Sequence, residues 1–140
     1  MSAPGEKGVA VVGESVEARN KKVVEAFFDA GSRGALDEVQ TYMADDLVIR
    51  QAGFLPYGGT YSKKTFPALA AEMSKYIEMR NARLVRILAE GDYVFVVVAV
   101  PDARTGQECI QGIQILLRDG KFAENTIFYH DAGSMAAPNP

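Results

Sequence analysis

The sequence predicts an α+β domain in which three helices cover one face of a curved, largely antiparallel sheet. Two observations carry this reading. Apolar residues recur at three- and four-residue spacing before residue 82 and alternate in strand fashion after it. The strand-like segments are joined by tight-turn signals, so neighbours in sequence pair as a meander, and helices followed by hairpins favour α+β over a parallel α/β sheet.

The first helix starts at Ser15, a plausible N-cap, and carries Val16, Val23, Val24, Phe27, Phe28 and Ala30 before Gly34 stops it. A second, shorter helix holds Leu36, Val39, Tyr42 and Met43 and is expected to end near Ala44-Asp45-Asp46. Residues 47–51 read as a strand and residues 52–61, with Gly53, Pro56, Gly58 and Gly59, as a loop. A third helix begins between Ser62 and Thr65, where Pro67 is tolerated in the first turn, and runs through Phe66, Leu69, Ala70, Met73, Tyr76 and Ile77. Residues 83–90, 92–100, 108–118 and 121–129 read as four strands. Asp119-Gly120 is the sharpest local signal, the favoured two-residue hairpin turn. Residues 1–14 and 132–140, rich in small residues and proline, read as a flexible leader and tail around one domain over 15–131.

Composition narrows the function. The 140 residues suit one domain, and 48% hydrophobic content suffices for a sizeable core. A net charge of −3 with interspersed signs argues against nucleic acid. One cysteine, Cys109, rules out an intrachain disulfide, and one histidine, His130, disfavours a histidine-based metal site. Residues 1–15 lack a signal-peptide core, and the longest apolar run, 93–100, is too short to span a bilayer. The cytoplasm is the simplest expectation, with no membrane partner. No Gly-rich phosphate loop is present.

The order of elements, with four phrases, resembles the superfamily of nuclear transport factor 2, ketosteroid isomerase and the SnoaL-like polyketide cyclases. The phrases are Val23-Val24-Glu25-Ala26-Phe27-Phe28 before Gly34, Tyr42-Met43-Ala44-Asp45-Asp46-Leu47-Val48, Pro56-Tyr57-Gly58-Gly59-Thr60-Tyr61, and Arg118-Asp119-Gly120-Lys121-Phe122. The resemblance implies a cone-shaped, bent sheet wrapped round the helices, a deep pocket between them, and dimers. The outward positions Tyr93, Phe95, Val97 and Ala99, with Ile113, Ile115 and Leu117 expected beside them, would form an apolar outer face. Either a second copy covers that face, giving a homodimer, or the leader does.

By the same resemblance, isomerases place a carboxylate base, a tyrosine and a protonated aspartate where this chain has Gln51, Phe27 and Gln114. Glutamine takes no proton at neutral pH and phenylalanine donates no hydrogen bond, so the proton-shuttle isomerase is disfavoured. The carboxylate that related cyclases and epoxide hydrolases carry in the last strand falls on Ile127, and the Arg and Asp of limonene epoxide hydrolase are absent from Val96-Val97-Val98. What remains is neutral: Gln51, Gln114 and Asn125 on inward positions, with Tyr129 further along. These amides either grip oxygens of an apolar ligand or satisfy one another and water.

The expected wall adds Phe27, Phe54, Met73, Tyr76, Met79, Val96, Val98 and Ile127, although a helical Met and aromatic stripe also suits plain core. Tyr57 would either cap the ligand or pack on the third helix. His130 and Glu124 are expected to face outward, as is Cys109, and Asp45-Asp46 to be a solvated helix end. The expectation is a small apolar, polyketide-like molecule, cyclised or isomerised without metal or organic cofactor by Gln51, Gln114 and Asn125. The alternative is a non-catalytic binding protein.

Overall fold

The computed structural model describes residues 14–130. The leader, and all of the tail, lie outside the described residues, save Glu14 at the leader's end. In chain order the elements are α1 (Val16–Ser32), α2 (Leu36–Thr41), β1 (Met43–Gln51), β2 (Gly59–Tyr61), α3 (Phe66–Met73), a 3-10 turn (Met79–Asn81), β3 (Arg83–Glu90), β4 (Tyr93–Pro101), β5 (Glu108–Arg118) and β6 (Lys121–Tyr129). The strands form one six-stranded sheet in the order β2-β1-β6-β5-β4-β3. The β1–β6 pair is parallel and the others antiparallel, so the sheet is mixed. Among the described residues no helix is long and apolar enough to cross a membrane.

Capping chemistry sets the ends of α1. The Ser15 hydroxyl accepts from the Ala18 N–H at 3.1 Å. At the other end Gly34 adopts φ +71°, its N–H donates to Gly31 O, and the Ala35 N–H donates to Ala30 O, both at 3.0 Å. This is a Schellman stop, which a Cβ would strain. Asp119 and Gly120 both take positive φ, as the type I′ hairpin requires.

Three expectations are corrected. The second helix ends at Thr41, and β1 starts at Met43. Pairing with the last strand wins over helix here: the Phe122 N–H donates to Tyr42 O at 2.8 Å, and Lys121 Nζ to Thr41 O at 2.6 Å. Asp45 and Asp46 are therefore exposed strand residues, not a helix end. The third helix stops at Met73, and Ile77 instead bridges Asp102 across the sheet's end. The segment read as loop contains the short edge strand β2.

The inner face carries the core. Val94, Val96, Val98 and Val100 of β4 are buried beneath α1, which contributes Val24 and Ala30. Register then decides the face of β5. Val96 lies opposite Ile113 and Phe95 opposite Gln114, and directly opposed residues share a face. Ile113, Ile115 and Leu117 are consequently buried on the inner side, Cys109 and Gln111 with them, while Gln114 is exposed. This reverses the expected parity, including the outward placement of Cys109. A one-residue slip would turn every one of these apolar side chains to solvent.

The outer face is apolar, but built from Val85, Leu88, Tyr93, Phe95 and Phe128, all exposed. Gly112 lies under the Phe95 ring: a Cβ there would come 2.6 Å from Phe95 Cζ. At Gly58 a Cβ would come 2.4 Å from the Ala52 carbonyl oxygen, which is backbone and cannot swing away. Gly58→Ala should therefore cost about 2 kcal/mol or more, as overpacking does. Gly112→Ala should cost less than about 1 kcal/mol, because the exposed Phe95 ring can rotate aside. Urea denaturation of the two variants checks the order; equal losses would contradict it.

Candidate functional site

A cavity of about 570 Å³ opens where the helices stand off from the sheet. Its floor is β1, β5 and β6, through Met43, Ile49, Gln51, Gln111, Ile113, Ile115, Phe122, Asn125 and Ile127. Its roof is the end of α1 with Phe27, Phe28 and Gly31, then α2 with Leu36 and Val39, then α3 with Phe66, Leu69, Ala70 and Met73. The Phe27 ring rests on Phe122 with centroids 4.5 Å apart and meets Phe28 and Tyr42 edge-on. These contacts hold the α1 end of the roof to the floor.

Three buried amides interrupt the apolar lining, Gln51, Gln111 and Asn125; a fourth, Asn81, is exposed at its edge. Gln111 Nε2 and Asn125 Oδ1 have no hydrogen-bond partner among the described residues. Leaving a buried polar atom unmade costs about 1–3 kcal/mol, so these are one donor and one acceptor waiting for a partner. Asn125 lies opposite Ile115, four residues along β5 from Gln111, which separates the two by roughly 13 Å along the floor.

Gln51 is fixed differently. Tyr129 Oη donates to Gln51 Oε1 at 2.9 Å, and Tyr57 Oη lies 3.2 Å from Tyr129 Oη. With the Tyr129 proton committed to Gln51, Tyr57 donates into the chain. The amide nitrogen of Gln51 then faces Met73 Sδ at 3.7 Å, a weak acceptor, and keeps donor capacity toward the cavity. Burial is the main cause that pushes both phenols above the ordinary tyrosine range, and the neighbouring Tyr57 phenol adds to it at Tyr129.

The structure places the sequence-derived residues unevenly. Gln51, Asn125, Phe27, Met73, Met79 and Ile127 line the cavity. Gln114 does not: it is on the outer face, and Gln111, which the sequence reading passed over, occupies the inner position. The signal was available, because Gln111 shares the parity of Ile113, Ile115 and Leu117. Val96 and Val98 are buried under α1 and do not reach the cavity, since that half of the sheet is closely covered. Phe54 is exposed on its loop, 62% accessible, and does not line the cavity. Tyr57 is buried rather than capping, its ring 5.7 Å from that of Tyr76 just past α3, so both are packing residues outside the lining. Tyr129 also lies behind the lining and acts on it through Gln51.

Among the described residues no buried ionisable group lines the cavity. Glu78 and Arg80 are its charged lining residues, and both are exposed at its edge. His130 is exposed at the end of β6, and Cys109 is buried but outside the lining. Asp102 is a buried carboxylate elsewhere, in the β4–β5 connection. Burial alone would raise its pKa, but the N–H groups of Arg104 and Thr105, at 2.7 and 3.2 Å, and the Arg104 guanidinium together hold it below the usual carboxylate range. It staples its loop.

The two raised phenols give a pH signature. The folded chain holds these protons more tightly than the unfolded one, so their stabilisation is complete below about pH 10 and is lost as the pH rises beyond it. Phenolate absorbance at 295 nm should show a late fraction that appears only at strongly alkaline pH, and Tyr129→Phe should remove part of it. The same substitution should cost about 1–2 kcal/mol at neutral pH, because Gln51 Oε1 loses its donor.

Comparison with known proteins supports the architecture. Solved structures with the same fold include an NTF2-like protein from Burkholderia xenovorans LB400, 23% identical over 89% of this chain and 97% of that one, with a TM-score of 0.71. Bal32a, from a soil-derived mobile gene cassette, is 14% identical over 84% and 93%, with a TM-score of 0.73. A candidate polyketide cyclase from Sinorhizobium meliloti is 20% identical over 76% and 94%, with a TM-score of 0.62. No curated protein matches the chain significantly. Residues 24–125, spanning the helices, β1 and the meander as far as Asn125, match the SnoaL-like domain, and the chain belongs to that family.

Proposed function

We propose that this protein binds a small apolar, polyketide-like molecule in its cavity and promotes cyclisation or isomerisation of it without a cofactor. The supporting observation is the pairing of an apolar hollow of about 570 Å³ with two buried, unpartnered polar atoms on its floor, Gln111 Nε2 and Asn125 Oδ1. A ligand with an oxygen near Gln111 and a hydroxyl near Asn125 would satisfy both. The amide nitrogens of Gln51 and Gln111 would hydrogen-bond an oxygen on which negative charge develops, and the walls would fold the substrate. The likeness to a candidate polyketide cyclase from Sinorhizobium meliloti supports this choice of substrate class.

A second reading, binding without turnover, is favoured by one feature. Among the described residues every ionisable side chain in the lining is at the exposed edge, and none is a buried acid or base placed to move a proton. One experiment separates the two readings. Gln111→Leu should weaken binding of polycyclic aromatic ketones about tenfold, the scale of one buried hydrogen bond, in calorimetry or thermal shift. Turnover of a ketone substrate, lost in that variant in the same proportion, would identify an enzyme. Tight binding with no turnover by the unaltered protein would identify a carrier. Absence of binding would remove both readings.

We also propose that a second copy of this chain covers the outer sheet face. Leu88, Tyr93, Phe95 and Phe128 are exposed there together, and a two-fold axis would place this patch on itself. Arg86 and Glu90 flank Leu88 on β3 and have no ion-pair partner among the described residues, so a two-fold contact could bring unlike charges together. Sedimentation should show a dimer, and Phe95→Glu should convert it to monomer without unfolding it. A monomer before substitution would overturn this.

A further inference from the structure

We infer that the ligand is an apolar carboxylic acid whose carboxylate is held at the cavity mouth by Arg80 while its body lies inside; this rests on the ligand-binding reading above and names the class of ligand.

The cavity edge has an unusual charge arrangement. Arg80, in the 3-10 turn between α3 and β3, lines the cavity and is exposed. Among the described residues its side chain has no hydrogen-bond or ion-pair partner. Most other arginines are committed. Arg33 bonds Asp29 and Glu38, Arg50 bonds Glu124, Arg83 bonds Glu108, and Arg118 bonds Asp46.

Position rather than a salt bridge orients Arg80. A Cβ built on Gly34 would lie 3.5 Å from Arg80 Cζ and 3.7 Å from both Nε and Nη1. Nearly equal distances to three atoms of the guanidinium mean that its flat face covers Gly34. The in-plane N–H donors are therefore directed sideways, away from the surface it covers. Two parallel in-plane donors match the two oxygens of a carboxylate, which a lysine ammonium cannot do. Gly34 is required by its positive φ, which stops α1; the guanidinium lies over it at a distance where a Cβ would make only ordinary contact.

The rest of the mouth is consistent with an amphipathic guest. Leu36 is a 43% exposed apolar lip in the lining, and the buried lining behind it, among the described residues, is apolar side chains and neutral amides. Such a lining takes a hydrocarbon body but not a buried charge, so a ligand's anionic group must remain at the edge. Glu78 is the opposing charge there. Its Oε1 accepts from Asn81 Nδ2 at 3.4 Å, and it lowers the affinity for an anion without occupying Arg80.

The test uses the fluorescent, uncharged probe N-phenyl-1-naphthylamine as reporter, displaced by a naphthalene carboxylic acid or by its methyl ester. The acid should displace the reporter about tenfold more strongly than the ester, the scale of one charge-assisted pair, and less so at high salt. Arg80→Met should abolish that preference, the acid then displacing the reporter no better than the ester. Arg80→Lys should retain part of it, and Glu78→Gln should increase it. Equal displacement by acid and ester, or an Arg80→Met protein that loses the reporter as well, would overturn the role of Arg80 and leave the cavity reading standing. Failure of the reporter to bind would overturn the ligand-binding reading and this inference with it.

Discussion

The inner face of one sheet has to supply both a close-packed core and an open cavity wall, and the rest of the structure follows from how that face is divided. Along β4 the face is covered by α1, and its valines are packed without access. Along β1, β5 and β6 the cover is the end of α1 with the short α2 and α3, and space remains beneath them. The division depends on strand parity. Because Val96, Ile113 and Ile127 stand in one row across β4, β5 and β6, the apolar row crosses from core to cavity without a break. A ligand in the cavity therefore rests on the same surface that stabilises the fold.

That arrangement explains why the polar groups of the site are amides. A carboxylate on this floor would be deprived of water and would need a charged partner, and the cation of the lining, Arg80, stands at the exposed edge rather than on the floor. An amide carries dipoles at smaller cost and can be aimed by its neighbours. Gln51 is aimed by Tyr129, which is in turn held by Tyr57, and both phenols keep their protons well into alkaline conditions. Gln111 and Asn125 have no such support at their orphaned atoms. The site thus combines one amide whose direction is set in advance with two that a guest would complete.

The fold was legible in the sequence because its strongest signals are local. Ser15 and Gly34 bound α1 through their own backbone chemistry, and Asp119-Gly120 commits β5 and β6 to a hairpin. The misread elements were decided at long range. Tyr42 and Met43 look helical until Phe122 comes alongside, and no local pattern announces a partner that far along the chain. The site was half legible for a related reason. Gln51 and Asn125 line the cavity, whereas Gln114 was expected inward because the alternating set Ile113, Ile115 and Leu117 was assigned to the outer face. Placing that set inward would have selected Gln111. Arg80 could not be found from sequence, since its meaning depends on Gly34 lying beneath it.

The parallel pairing of β1 with β6 has a kinetic consequence. The β3–β4–β5–β6 meander can assemble by successive local hairpins, but β1 must reach β6 across most of the domain, Arg50 meeting Thr126. Closing so distant a contact is slow compared with forming a hairpin. Because β1 supplies Met43, Ile49 and Gln51 to the floor, the hollow is complete only where β1 is paired with β6, and an apolar guest has its full binding surface only on the folded chain.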